Sequence, residues 1–199
     1  CQMVRLFRDG EPFRMSKRAG DFITLRDVVD EVGKDAVRFI MLTRKNDAPL
    51  DFDFAKVMEQ SRDNPVFYAK YAYARIFSVL RNAAEQGIDI TEVSLAKADL
   101  SLLKDEAELA LVKQMVAFPR AIEQAAQAHE PHRVAFVLND LAASFHGLWN
   151  KGKDEPCLRF ILADNRDVTI ARLALIRAAA FVLAAGFGVL GVKPAEEMR

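Results

Sequence analysis

The spacing of apolar residues changes period once along the chain. Residues 2–7 (Gln-Met-Val-Arg-Leu-Phe) alternate with a period of two, the pattern of a strand. Arg8-Asp9-Gly10-Glu11 follows as a tight turn built on Asp-Gly, and residues 12–15 read as a short return strand. Beyond a polar loop at 16–20 the spacing becomes helical. Thr24 with Asp27 three positions on spells a capping box, opening a short helix through Glu31 that Gly33 closes. Asp35 stands where it can cap the next helix, on which Val37, Ile40, Met41 and Arg44 fall at helical spacing. Residues 45–53, containing Pro49, read as a connector.

From residue 54 onward every periodic segment is helical. A helix is expected over 54–62. Asn64-Pro65 opens a long one to about Gln86, with proline at its first position and Gly87 as its stop. Phe67, Tyr71, Ala74, Ile76, Phe77 and Leu80 supply its apolar face. Residues 88–98 read as a linker. Four more helices are expected over about 100–117, 120–129, 131–151 and 167–190, opening at Asp99, Pro119, Glu130-Pro131 and Asn165 or Asp167. Residues 152–164 read as a loop with one short apolar patch, and no fixed-period repeat appears. The pattern predicts a mainly α fold: a short α/β remnant over 1–53, then a bundle of five or more helices over 54–199. Strand 2–7 finds few candidates to pair with, and the first residue is Cys1 rather than Met. The expectation is a fragment whose sheet lies mostly upstream, with 2–7 left as an open edge.

Composition narrows the classes. The chain has 199 residues, 51% apolar, enough for one good core. The longest apolar run, 178–192, contains three glycines and falls short of the roughly 18 residues a membrane span needs. No secretory leader pattern is visible in residues 2–13. Two cysteines, Cys1 and Cys157, exclude a disulfide framework and a cysteine-rich zinc site, and fit a reducing cytosol. Lys plus Arg and Asp plus Glu both number 28. An acidic excess is confined to 99–130, so the balance neither demands nor forbids an RNA partner.

Two clusters carry candidate chemistry. Met15-Ser16-Lys17 follows a strand and an Asp-Gly turn and precedes Gly20, so such a loop can bring an ammonium onto phosphates and withdraw it. Phosphoryl and adenylyl transfer rely mostly on positioning and charge stabilisation. Lys17 suits a leaving pyrophosphate, with Arg14 and Arg18 adding positive potential; a solvated basic loop has the same composition. The second cluster is Tyr68, Lys70, Tyr71, Tyr73 and Arg75 on one helix. Rings stack on unpaired bases, hydroxyls bond to them, and a guanidinium meets phosphate; core tyrosines with wet hydroxyls are the alternative. Trp149, at the end of an apolar helix, reads as core. His129-Glu130-Pro131-His132 reads as a helix junction with solvated histidines, because ligands spaced across a proline lack a clean helical face.

The run from Gly10 to Asp21 resembles the second signature of class I aminoacyl-tRNA synthetases, Lys-Met-Ser-Lys-Ser, with Arg14 in place of its first lysine and Arg18 in place of its last serine. Further blocks are similar, in the same order, to arginyl-tRNA synthetases. They are Asp35-Ala36-Val37-Arg38-Phe39, Leu50-Asp51-Phe52-Asp53, Asp63 to Tyr68, Tyr71 to Arg75, Phe145-His146-x-x-Trp149-Asn150, and Leu190-Gly191-Val192 with Pro194 and Met198. Tyr73 stands where that family often has histidine.

The resemblance implies the C-terminal part of an arginine–tRNA ligase. Lys17 would be the catalytic lysine in an ATP-binding loop of Arg14, Met15, Ser16 and Lys17. Tyr68, Tyr71, Tyr73, Arg75 and Met198 would contact tRNA(Arg), and no residue would bind a metal. It implies arginine and ATP with Mg2+ as substrates of the intact enzyme, a cytoplasmic monomer, and a chain inactive alone for want of the His-x-Gly-His signature. A cysteinyl-type class I synthetase and a non-catalytic tRNA-binding helical module are the rival readings. The Asn64-Pro65 and Tyr71-to-Arg75 blocks argue against the first.

Overall fold

The computed structural model describes residues 2–13 and 22–198. Its N-terminal part is a three-stranded sheet in the order β2-β1-β3. β1 (Val4–Arg8) and β2 (Glu11–Pro12) form the expected hairpin, with Phe7 opposite Pro12. Asp9 and Gly10 both have positive φ, 54° and 83°, the backbone a two-residue hairpin turn requires. The connector expected at 45–53 is only partly one. Its end, β3 (Leu50–Asp53), runs parallel to β1 with Val4 opposite Leu50 and Phe7 opposite Asp53. β1 is therefore the central strand and not an open edge. The four-residue run Leu-Asp-Phe-Asp buries Leu50 and Phe52 and exposes Asp51, an alternation too short to stand out in sequence.

α1 (Leu25–Val32) opens on the anticipated capping box: Asp27 N–H donates to Thr24 Oγ1 at 3.2 Å and Thr24 N–H to Asp27 Oδ2 at 2.8 Å. α2 (Lys34–Met41) starts directly after Gly33, so Asp35 sits in its first turn and is not its cap. The Asp35 carboxylate instead accepts from Lys70 Nζ at 2.6 Å. α3 (Phe54–Met58) is shorter than expected. Asn64 ends it by donating its amide to the Val57 and Glu59 carbonyls, at 2.7 and 2.8 Å, while its Oδ1 accepts from Phe67 N–H. The same residue thus stops α3 and caps α4 (Pro65–Glu85). Val28, Val37, Ile40, Leu50, Phe52, Phe54 and Val57 close a small core, so α3 packs with the sheet and not with the bundle.

The larger core belongs to α4, α6 (Glu106–Ala128), α7 (His132–Asp154) and α8 (Arg166–Leu190), which pack on one another. Leu111, Leu138, Leu141, Phe145, Leu148, Leu173, Ile176 and Phe187 are completely enclosed there. Three expectations need correction. The linker at 88–98 holds a short helix, α5 (Glu92–Leu95), capped by Thr91. Leu100–Leu102 is only a 3-10 turn; α6 starts after Asp105, whose side chain forms a capping box with Glu108. Pro119 lies inside α6 and does not divide it. A proline removes one donor to the preceding turn. Pro119 and the neighbouring Val116 and Ala117 lie on the exposed side, where water can take up the freed carbonyl. α8 is long and apolar enough to cross a membrane by length and composition, although Arg172 and Arg177 interrupt its apolar run. Here its apolar residues line the bundle core, and it carries the buried Thr169 and Arg172.

Candidate nucleic-acid interface

α4 turns by about 100° per residue, so Phe67, Tyr68, Tyr71, Arg75, Ser78 and Asn82 share one side of it. α7 crosses this side and presents His146 and Trp149, three residues apart and therefore on one face. The Arg75 guanidinium carbon lies 4.3 Å from the centre of the Tyr71 ring and 4.7 Å from that of Trp149. It donates to the Tyr71 hydroxyl, and its Nη1 is 3.5 Å from His146 Nδ1. Among the described residues Arg75 has no carboxylate partner. It is a full positive charge held between two rings.

The rings are in continuous contact, stacked from Phe67 through Tyr71 to His146 and tilted between His146 and Tyr68. Phe67 and Tyr71 are 5.6 Å apart and nearly parallel, Tyr71 and His146 are 5.7 Å apart, and Tyr68 and His146 are 4.6 Å apart. The hydrogen bonds assign the imidazole. His146 Nε2 faces the Tyr68 carbonyl at 3.4 Å, an acceptor only, so Nε2 carries the proton and Nδ1 accepts from Arg75. Burial pushes the His146 pKa down to about 4; the Tyr68 carbonyl opposes this and the Arg75 charge reinforces it. A neutral imidazole at physiological pH leaves the charge of the site on Arg75 alone. Tyr71 keeps 36% of its surface in solvent, so its free edge is open to a ligand.

The structure separates the sequence candidates. Tyr68, Tyr71 and Arg75 come together. Tyr73 is two positions from Tyr71, hence on the opposite side of α4; it is only 8% exposed and packs on Phe77 at 4.8 Å. Burial, with Glu196 nearby, raises its phenol pKa. Lys70 is engaged by Asp35. The C-terminal segment crosses this far side: Lys193 N–H donates to Asp35, and Arg81 approaches Glu197 at 3.9 Å. Met198, half-buried, ends that segment. Arg14, Met15, Ser16 and Lys17 lie outside the described residues. His129 forms the left-handed C-cap of α6 and Glu130 pairs with Arg133 and Lys45, which is the junction the sequence suggested. Trp149 packs half-buried against the bundle core, as its sequence context suggests, and also reaches Arg75; His146, which stands in the sequence only as part of a motif, joins the same cluster. Their three-residue spacing was the available signal, but which helix α7 would cross was not.

A helical bundle with an aromatic and cationic face, joined to a small α/β module, is the class of protein that this fold defines. Residues 69–198 match the model of the DALR anticodon binding domain, and the chain belongs to that family. It is 74% identical over 200 residues to an arginine–tRNA ligase of Parvibaculum lavamentivorans, and 60% identical over 199 residues to one of Ruegeria pomeroyi. All of this chain is covered in both cases, but only 34% of each relative, so it spans about a third of their length. Among solved structures, a Campylobacter jejuni protein assigned as an arginyl-tRNA synthetase superposes with a TM-score of 0.83 at 31% identity, covering 100% of this chain and 40% of that one. The Thermus thermophilus arginyl-tRNA synthetase shares the fold, with a TM-score of 0.70 at 24% identity, covering 98% of this chain and 34% of its own.

Proposed function

We propose that this chain binds the anticodon loop of tRNA(Arg), as part of a longer cytoplasmic arginine–tRNA ligase. The observation that carries the reading is Arg75, clamped between Tyr71 and Trp149 without a carboxylate partner. A base splayed out of an RNA loop packs against the exposed edge of Tyr71, and its phosphate meets the guanidinium. Both helices are buried along their other faces, so the rings are held in place before RNA arrives and little side-chain entropy is lost on binding. Tyr68 supports the stack through His146. Tyr73, on the far side of α4, and Met198, in the C-terminal segment, would contact RNA at a place apart from the ring cluster. In the intact enzyme Lys17, within the Arg14–Met15–Ser16–Lys17 loop, would stabilise the pyrophosphate that leaves Mg2+-bound ATP when arginine is activated. A single intact molecule, without a second subunit, would serve.

Filter binding of tRNA(Arg) to the chain and to its Tyr71→Ala and Arg75→Ala variants tests this. Each variant is expected to bind roughly tenfold more weakly, in line with about 1–3 kcal/mol per stacked base. Arg75→Ala should also flatten the salt dependence, because one phosphate contact is lost. Unchanged affinity in both variants, with folding intact, would return this face to a structural role.

A further inference from the structure

Beside the ring cluster, on the same side of α4, lies a groove of about 550 Å³. Trp149 belongs to both: its indole packs on Arg75 and also lines the groove. Ser78 and Asn82 line it from α4, Gln86 from the C-cap of that helix, and Lys153 and Arg159 from the end of α7 and the loop after it. Ser78 to Gln86 continues the row started by Tyr71 and Arg75, at a rise of about 1.5 Å per residue. Its volume is in the range of sites that enclose a small organic ligand, about 300–1,000 Å³.

The lining is chemically specific. The floor is apolar, with Leu148, Leu158 and Phe160 buried. The rim carries two amides joined to each other, Gln86 Nε2 donating to Asn82 Oδ1, which leaves the Asn82 amide as donor and the Gln86 carbonyl oxygen as acceptor for a ligand; it also carries two cations, Lys153 and Arg159, that have no carboxylate partner among the described residues. The loop wall is fixed. Arg172, itself buried, donates from Nη1 to the Cys157 and Arg159 carbonyls at 2.6 and 2.8 Å. Gly152 lets that loop lie directly on α7, since a Cβ there would meet the Leu158 carbonyl oxygen at 3.0 Å. An apolar floor for a flat ring, amides for a base edge and cations for phosphate match one ligand class.

We propose that this groove is a second nucleotide subsite, holding the unpaired RNA nucleotide adjacent in sequence to the one gripped at Tyr71 and Arg75. Trp149 separates the two nucleotides and keeps them unstacked from each other. Asn82 and Gln86 face the second base, and Lys153 and Arg159 take its phosphates. The inference rests on the anticodon-loop reading above and extends it from one base to two.

The test uses the chain itself and a synthetic RNA stem-loop with an anticodon-sized loop, made abasic at one loop position at a time. With the unaltered chain, two neighbouring abasic positions should each weaken binding roughly tenfold. Ser78→Trp, which fills the groove from an exposed helical position, and Lys153→Ala should abolish the penalty at one of these positions and keep it at the other. Arg75→Ala should do the reverse. Thermal unfolding of each variant confirms that it is folded. A penalty at a single position, sensitive to Arg75→Ala and indifferent to Ser78→Trp, overturns the second subsite and leaves the anticodon-loop reading intact. Absence of any position sensitive to Arg75→Ala overturns both.

Discussion

At the scale of single residues, His146 makes the most exposed claim. Its pKa is lowered from 6.5 to about 4 by burial, so the folded protein holds the imidazole neutral where the unfolded chain would protonate it. Between about pH 6.5 and 4 the unfolded state then binds more protons, and stability falls as pH falls through that window. It is fully present above the upper value. Carboxylates titrate near the lower end, so the comparison must be with His146→Phe, which keeps a ring in the stack and removes the titration. Urea unfolding at a series of pH values should give a shallower decline for the variant; parallel curves would mean that the imidazole is solvated. The same residue shows what sequence could and could not give. Tyr71 and Arg75, four apart on one helix, are legible as a ring-and-cation pair. Their closure by His146 and Trp149 comes from a helix about 70 residues away, and one sequence carries no record of which helix crosses which. Tyr73, grouped with Tyr71 and Arg75 by residue type and by the resemblance of that block, lies two positions from Tyr71 and so faces the other side of the helix.

At the scale of elements, caps were legible and breaks were not. Thr24–Asp27, Asn64-Pro65 and Asn165 start helices as their side-chain chemistry dictates. β3 and α5 were missed because four residues are too few for a period to declare itself. Pro119 carries a local penalty of about 3 kcal/mol, but α6 packs along both α7 and α8, and that burial outweighs it. This yields a prediction. Because Pro119 is exposed and its backbone is already helical, Pro119→Ala restores a donor to the Met115 carbonyl without disturbing a buried contact. The variant should be more stable by about 1–3 kcal/mol, the lower end holding if the helix has relaxed around the proline. Chemical denaturation measures it directly. A loss of stability would show that a bend at Pro119 is needed to fit α6 onto α7.

At the scale of the molecule, two cores share one chain, and each has a single point on which its closure depends. In the bundle it is Glu108 with Arg172, 1% and 5% exposed and 2.6 Å apart. Glu108 also takes the Lys104 and Asp105 backbone donors at the start of α6, so the pair ties α6, α8 and the 156–160 loop together. Arg172→Met strands a buried carboxylate and should cost about 3–5 kcal/mol. Adding Glu108→Gln, which can still accept from the backbone, should recover part of that loss; additive losses would show that the two residues act separately. In the N-terminal module the dependence is on β1. Read from sequence, residues 2–7 form an open edge. The topology reverses that expectation. β1 is paired on both sides, and β3 has β1 as its partner. Removing the first 23 residues would leave the β3 backbone without hydrogen-bond partners and uncover Leu50 and Phe52, now 4% and 0% exposed. Unpaired strands with apolar faces invite pairing with other chains, and side chains of this size contribute about 1.5–3 kcal/mol each when buried. Sedimentation at rising concentration should therefore show the full chain as a monomer and the chain starting at Thr24 as self-associating. If the shortened chain is also monomeric, α1, α2 and α3 close the small core without β1, and the sheet is an accessory to that core.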